Sequence, residues 1–191
     1  VDALITNVPG LPLTVFSADC GTVLLYDPIH QAIGAVHAGW RGCAAGIVEK
    51  TVAAMGAAYG SRPADLLAAL GPCIGPCCFE TDGDVPEAMQ AALGADADAY
   101  ITVKGPKFHV DLAGLNRQWL LRAGLLPERI EVSGICTAVI LWQGRRVLQT
   151  ILRGEPFSME NAHSLRRAAI CSFTIALAAL ARVAFNLWFF R

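Results

Sequence analysis

The sequence predicts an α/β (α+β) fold: a mixed β-sheet core layered by helices. Two observations carry this. Short runs of β-branched and aromatic residues fill the first forty positions, and segments with a helical period alternate with further short apolar runs after them. No regular βαβ repeat joins the two, so the sheet is expected to be mixed rather than fully parallel. With 191 residues, 54% of them hydrophobic, the chain is long enough to bury one core.

After Pro9-Gly10, "LPLTVFSADC" and "TVLLYD" read as two strands, or as one strand bent at its polar Ser-Ala-Asp-Cys step. "PIHQ" supplies a turn, and "AIGAVHAGW" the next strand, so the first three apolar segments form a β-meander. From Gly42 the apolar positions Ala45, Val48, Val52 and Met55 fall at helical spacing, and Gly60 ends that helix. "ADLLAALGP" is a short strand running into the loop "GPCIGPCCFE". A second helix follows in "DVPEAMQAALG", with Asp84 in capping position and Pro86 in its first turn. A third spans about Leu112 to Ala123 and closes at Gly124, and "RIEVSGIC" is the strand after it.

The formal net charge is -1, and no basic run interleaved with aromatics is present, so small molecules are expected as partners and nucleic acid is not. Seven cysteines are an odd number with no signal peptide before them, which fits a reducing, cytoplasmic location better than a disulfide framework. The chain opens at Val1 on "DALIT", which reads as the middle of a folded unit, so an N-terminal truncation is expected. Residues Ala168 to Phe190 are apolar on all faces, but Arg182 interrupts them at a cost of roughly 2.5–3.5 kcal/mol for insertion in a bilayer. A membrane partner is therefore not expected.

Cys20 and His37 lie near the ends of neighbouring strand-like runs, so both side chains can project from one sheet edge. Thiolate and imidazole suit Zn²⁺ or copper; the same pair in hydrogen-bond reach would make an activated nucleophile; and both could be ordinary core residues. Asp19 beside them would support a ligand or cap a turn. In "HAGWRG", Gly39 and Gly42 permit close backbone approach, Trp40 offers a stacking surface, and Arg41 can fork onto phosphate. The backbone N–H groups of the helix beginning near Cys43 would attract an anion. Cys73, Cys77 and Cys78 have C-x3-C-C spacing with no second half, so structural zinc is not expected and the loop is read as shaping a pocket through its backbone. His109 is a candidate extra ligand or base, with a structural role the commoner outcome, and His30 and His163 are given no role.

Taken in order, "VDALITNVPGLPLTVFSADCGTVLLYDPIHQAIGAVHAGWRG", "LGPCIGPCCFE", "VDLAGLNRQWLLRAGL" and "ICT" closely resemble the YfiH-like family, also called the laccase-domain or polyphenol oxidase family. The resemblance covers residues 1–137. It implies a fold similar to the catalytic domain of cytotoxic necrotizing factor, and purine nucleoside phosphorylase activity on adenosine, inosine and S-methyl-5'-thioadenosine, with adenosine deamination. It also implies a zinc or copper ion held by two histidines and a cysteine, of which Cys20 and His37 match the later two; the first histidine of the family lies upstream of "DALIT". Thr22 stands where the family has proline. Residues 138–191 do not match the aromatic, arginine-rich ending of the family, as a frameshift near Ala138 would explain.

The expected catalytic residues are thus Cys20, His37 and Arg41, with Cys20 and His37 as metal ligands and Asp19, Trp40 and Gly42 against substrate. Zinc is the expected cofactor and copper the alternative; purine nucleoside and phosphate are the expected partners. Copper-dependent phenol oxidation is the alternative reaction, disfavoured because the chain lacks paired histidines. An inactive fragment of such an enzyme is the third reading.

Overall fold

The computed structural model describes residues 2–137 and Arg145. The chain divides into two units, Val1–Ala138 and Val139–Arg191, and the elements below all belong to the first. Among the described residues no helix is long and apolar enough to cross a membrane. The readings made for the tail, including His163 and the apolar run from Ala168, lie outside the described residues.

A five-stranded mixed sheet organises the unit, in the order β1 (Ala3–Thr6), β3 (Ala32–Ala38), β2 (Gly21–Asp27), β4 (Leu67–Leu70) and β8 (Ile130–Val132). All neighbours are antiparallel except β4 and β8. Strand β2 shows the period of two directly: Val23, Leu25 and Asp27 are buried while Leu24 and Tyr26 are exposed. Helices α2 (Ile47–Tyr59) and α4 (Leu112–Arg122) pack on the sheet, with Val48, Val52, Met55, Leu115, Trp119 and Leu120 in a core shared with Val23, Leu25 and Val36. Gly34 on β3 leaves room there, since a side chain at that position would meet Leu25 and the Met55 sulfur at 3.3 Å. A second sheet, β5 (Glu80–Thr81), β7 (Lys107–Val110) and β6 (Ile101–Lys104), is antiparallel and sits beside α3 (Asp84–Leu93).

The mixed, helix-layered sheet is as expected, but several elements differ. Leu11–Phe16 is not a strand: Leu11 and Phe16 are exposed, Phe16 to 88%, and Pro9 and Pro12 have no N–H to donate to a ladder. The third neighbour of the β2–β3 hairpin is instead β1, from "ALIT", which pairs on the far side of β3, so there is no sequential meander. The helix read from Gly42 onward is two helices, α1 (Trp40–Ala44) and α2, broken where Gly46 takes φ +67°. Gly83 rather than Asp84 occupies the N-cap of α3, which puts the Asp84 carboxylate in the first turn. Helix α4 runs as read, its N-cap Asp111 accepting a hydrogen bond from the Gly114 N–H at 3.0 Å.

Candidate metal and substrate site

Antiparallel pairing of β2 with β3 sets Thr22 opposite His37 and Gly21 opposite Ala38, so Cys20, immediately before β2, comes level with Gly39. Side chains two apart share a face, which puts Cys20 and His37 on the same one. Cys20 precedes its strand rather than ending one; the pairing, not the direction of the run, brings the two together. Gly39 lies between them: a β-carbon there would stand 2.9 Å from the Cys20 Sγ and 3.7 Å from the His37 Cε1. On the other side of β3, the Asp2 carbonyl accepts the His37 backbone N–H at 2.7 Å, and the Asp2 carboxylate stands 3.6 Å from the imidazole Nδ1.

These residues, with Trp40, Arg41 and Gly42, line a cavity of about 200 Å³. The Arg41 guanidinium lies 4.3 Å from the centroid of the Trp40 ring. Helix α1 is only five residues long, so few peptide dipoles add up at its start, and anion attraction here rests on Arg41 rather than on the helix terminus. Burial of the Cys20 thiol raises its pKa above the ordinary thiol value, and the Asp19 carboxylate raises it further. That is the reverse of what an unaided thiolate nucleophile needs; a bound cation would supply the missing positive charge. The Asp19 side chain is exposed and outside the cavity lining, while its carbonyl accepts the Ile74 N–H at 2.7 Å.

Thiol and imidazole beside an open glycine are donors of the right chemistry for zinc or copper, so the pair fits two of the ligands such an ion takes. Among the described residues no third His, Cys, Asp or Glu completes a metal-ligating group around them. The other described histidines have structural partners. His30 is held by the buried Asp27 carboxylate at 2.8 Å, and the His109 Nδ1 bonds the Pro76 carbonyl at 2.7 Å with its Nε2 3.7 Å from Glu80. His109 is thereby a brace for the 73–78 loop.

The loop itself borders a larger cavity of about 600 Å³ lined by Cys73, Gly75, Pro76 and Cys77 together with Tyr100, Asp111, Arg117 and Cys136. The Cys73 thiol is pushed up to about 11, chiefly by burial, then by the charges of Asp111, Cys136, Cys20 and Asp19. Cys73 therefore stands near both cavities. Tyr100, Arg117 and Cys136 were not legible as site residues, because positions far apart in the chain meet the loop only through tertiary packing.

The thiol and imidazole thus meet at one end of the β2–β3 pair in a mixed, helix-layered sheet, beside an arginine stacked on tryptophan. The description "Multi-copper polyphenol oxidoreductase laccase" matches residues 1–140, and the chain belongs to that family, the one that includes the YfiH proteins. It is 41% identical over 141 residues to "Purine nucleoside phosphorylase" of Bacteroides thetaiotaomicron, covering 73% of this chain and 52% of that protein. It is 40% identical over 136 residues to "Purine nucleoside phosphorylase YfiH" of Escherichia coli, covering 71% and 53%. Among solved structures, YfiH of Bacillus licheniformis matches with a TM-score of 0.70 and 38% identity, over 72% of this chain and 52% of that one. The chain spans about half the length of the relatives it matches.

Proposed function

We propose that this fold performs phosphorolysis of purine nucleosides, adenosine, inosine and S-methyl-5'-thioadenosine among them, to the free base and ribose 1-phosphate, with deamination of adenosine as a second activity. The observation that carries the reading is the convergence of Cys20 and His37 beside Gly39, within one cavity with Arg41 and Trp40. The names of the relatives support the substrate class.

Cys20 and His37 would hold the metal, zinc first and copper as the alternative; the further histidine ligand of the family corresponds to a position upstream of "DALIT". When bound, that ion supplies a Lewis acid for a substrate oxygen or for water. Arg41 presents a forked cation to phosphate. Its guanidinium already covers one face of Trp40, so a purine stacks on the opposite face or on the guanidinium plane. A phosphate oxygen attacks the ribose C1′, the glycosidic bond breaks, and its electron pair leaves on the base nitrogen, which takes a proton.

The test is release of adenine from adenosine with and without phosphate, alongside metal content, for the wild-type chain, Cys20→Ala and His37→Ala. Phosphate-dependent adenine formation that falls more than about tenfold in both variants, with the metal, supports the reading. Undiminished turnover in the variants overturns the site. No turnover by a folded wild-type chain makes this polypeptide an inactive part of such an enzyme. Ammonia release reads deamination in the same samples. Oxidation of a phenol would favour the laccase-type alternative, which the family's name suggests but the histidines do not, since His30 and His109 are engaged elsewhere.

A further inference from the structure

We propose that Cys77, Cys78 and Cys136 form a second metal site, a trithiolate for a thiophilic d¹⁰ cation, Zn²⁺ or Cu⁺, separate from the Cys20–His37 pair. The three sulfurs lie within 4.8 Å of one another, Cys77 to Cys78 at 3.2 Å and Cys77 to Cys136 at 3.9 Å. Three thiolates about 2.3 Å from a common ion stand about 4 Å apart, so small side-chain rotations suffice to seat one. The arrangement is built by the backbone. Cys136 is bridged in parallel to Cys73, with the Thr137 N–H donating to the Cys73 carbonyl at 3.0 Å. The N–H groups of Cys78 and Phe79 both donate to the Gly75 carbonyl at 3.0 Å, and that turn sets Cys77 and Cys78 toward Cys136.

Two further observations point to a ligand. The Gly75 N–H donates to the Cys136 sulfur at 3.1 Å, a bond that stabilises a thiolate in place. Gly75 packs against these sulfurs without crowding them: a β-carbon there would lie 3.4 Å from the Cys136 Sγ and 3.7 Å from that of Cys77, in van der Waals contact. Cys77 and Cys78 are exposed, which gives an ion a path from solvent. The missing half of the C-x3-C-C motif is thus Cys136, brought in by the chain after β8. Three soft donors select Cu⁺ or Zn²⁺ over harder cations, Zn²⁺ keeping a fourth position for water. Because Cys77 and Cys136 both line the larger cavity, the ion would clip the 73–78 loop to the chain after β8 at its rim.

The test uses the metal-stripped chain kept under reductant. Co²⁺, as a probe for Zn²⁺, is titrated while thiolate-to-metal charge-transfer absorbance is read, and Cu⁺ is titrated against a chromophoric chelator. The variants are Cys77→Ser with Cys78→Ser, and Cys20→Ala. The exposed serine pair leaves the fold intact, checked by circular dichroism and thermal melting. The expected result is that Cys20→Ala keeps about one equivalent of ion with its thiolate band, and that the affinity for that equivalent drops at least about tenfold in the serine pair. The arm that binds tighter identifies the cation. A band lost in Cys20→Ala but kept in the serine pair assigns binding to the Cys20–His37 pair and overturns the proposal. So does a folded wild-type chain that binds neither probe, whatever the outcome of the nucleoside assay.

Discussion

Gly39 controls the proposed metal site through an atom it lacks. Its missing β-carbon would stand 2.9 Å from the Cys20 sulfur, closer than such atoms ordinarily approach, so Gly39→Ala is expected to displace the thiol. Metal retained after dialysis and adenine formation should both fall, with the circular dichroism spectrum unchanged. Asp27 is the second residue with a measurable signature. Its carboxylate is buried; burial alone would raise its pKa, but the Ser61 hydroxyl, the His30 ring and the N–H groups of His30 and Ile29 together outweigh that and lower it from 3.8 to about 2. A carboxylate depressed in the folded state contributes stability that is complete above its unfolded pKa and is lost as pH falls through its folded one. Between about pH 4 and pH 2 the wild type should therefore lose urea resistance more steeply than Asp27→Asn, and equal slopes would refute this role.

Among the elements, the break between α1 and α2 ties chain geometry to the site. Gly46 takes φ +67°, and a side chain there would meet the Trp119 ring at 3.3 Å. Alanine at position 46 should cost about 1–2 kcal/mol in chemical denaturation, from left-handed strain plus crowding of Trp119. A single continuous helix from Gly42, as the apolar period suggested, would have no such cost, so a neutral substitution would contradict the observed break. At the start of α4, Asp111 caps the helix, and removing its side chain in Asp111→Ala should cost about 1 kcal/mol, read as a shift in melting temperature.

Across the whole molecule, Asn116 joins helix to sheet: it is fully buried on α4, and its side-chain amide donates to the Ala38 carbonyl at 3.2 Å, one residue past His37. Asn116→Ala should lower stability by about 1–3 kcal/mol and weaken metal retention with it, because the end of β3 that carries the imidazole loses its tie. Much of this architecture was legible in the sequence, since period-two burial in β2, helical period in α2 and α4, and the stops at Gly60 and Gly124 are local rules that each short stretch obeys by itself. The false strand at Leu11–Phe16 shows the limit: its residues favour strands, but no neighbour pairs with it, and pairing is decided elsewhere in the chain. The two-residue β5 and the strands β6 and β7 escaped notice because short strands carry too little period to read. The sequence by itself thus determined the fold class, the family and the residue types of the Cys20–His37 pair, all of which reside in local pattern and in motifs along the chain. Only the tertiary structure decided that β1 flanks β3, that Gly39 leaves the gap between thiol and imidazole, and that Cys136 completes a cluster begun at Cys77, because contacts between distant positions are fixed by sheet register and packing that no single segment contains.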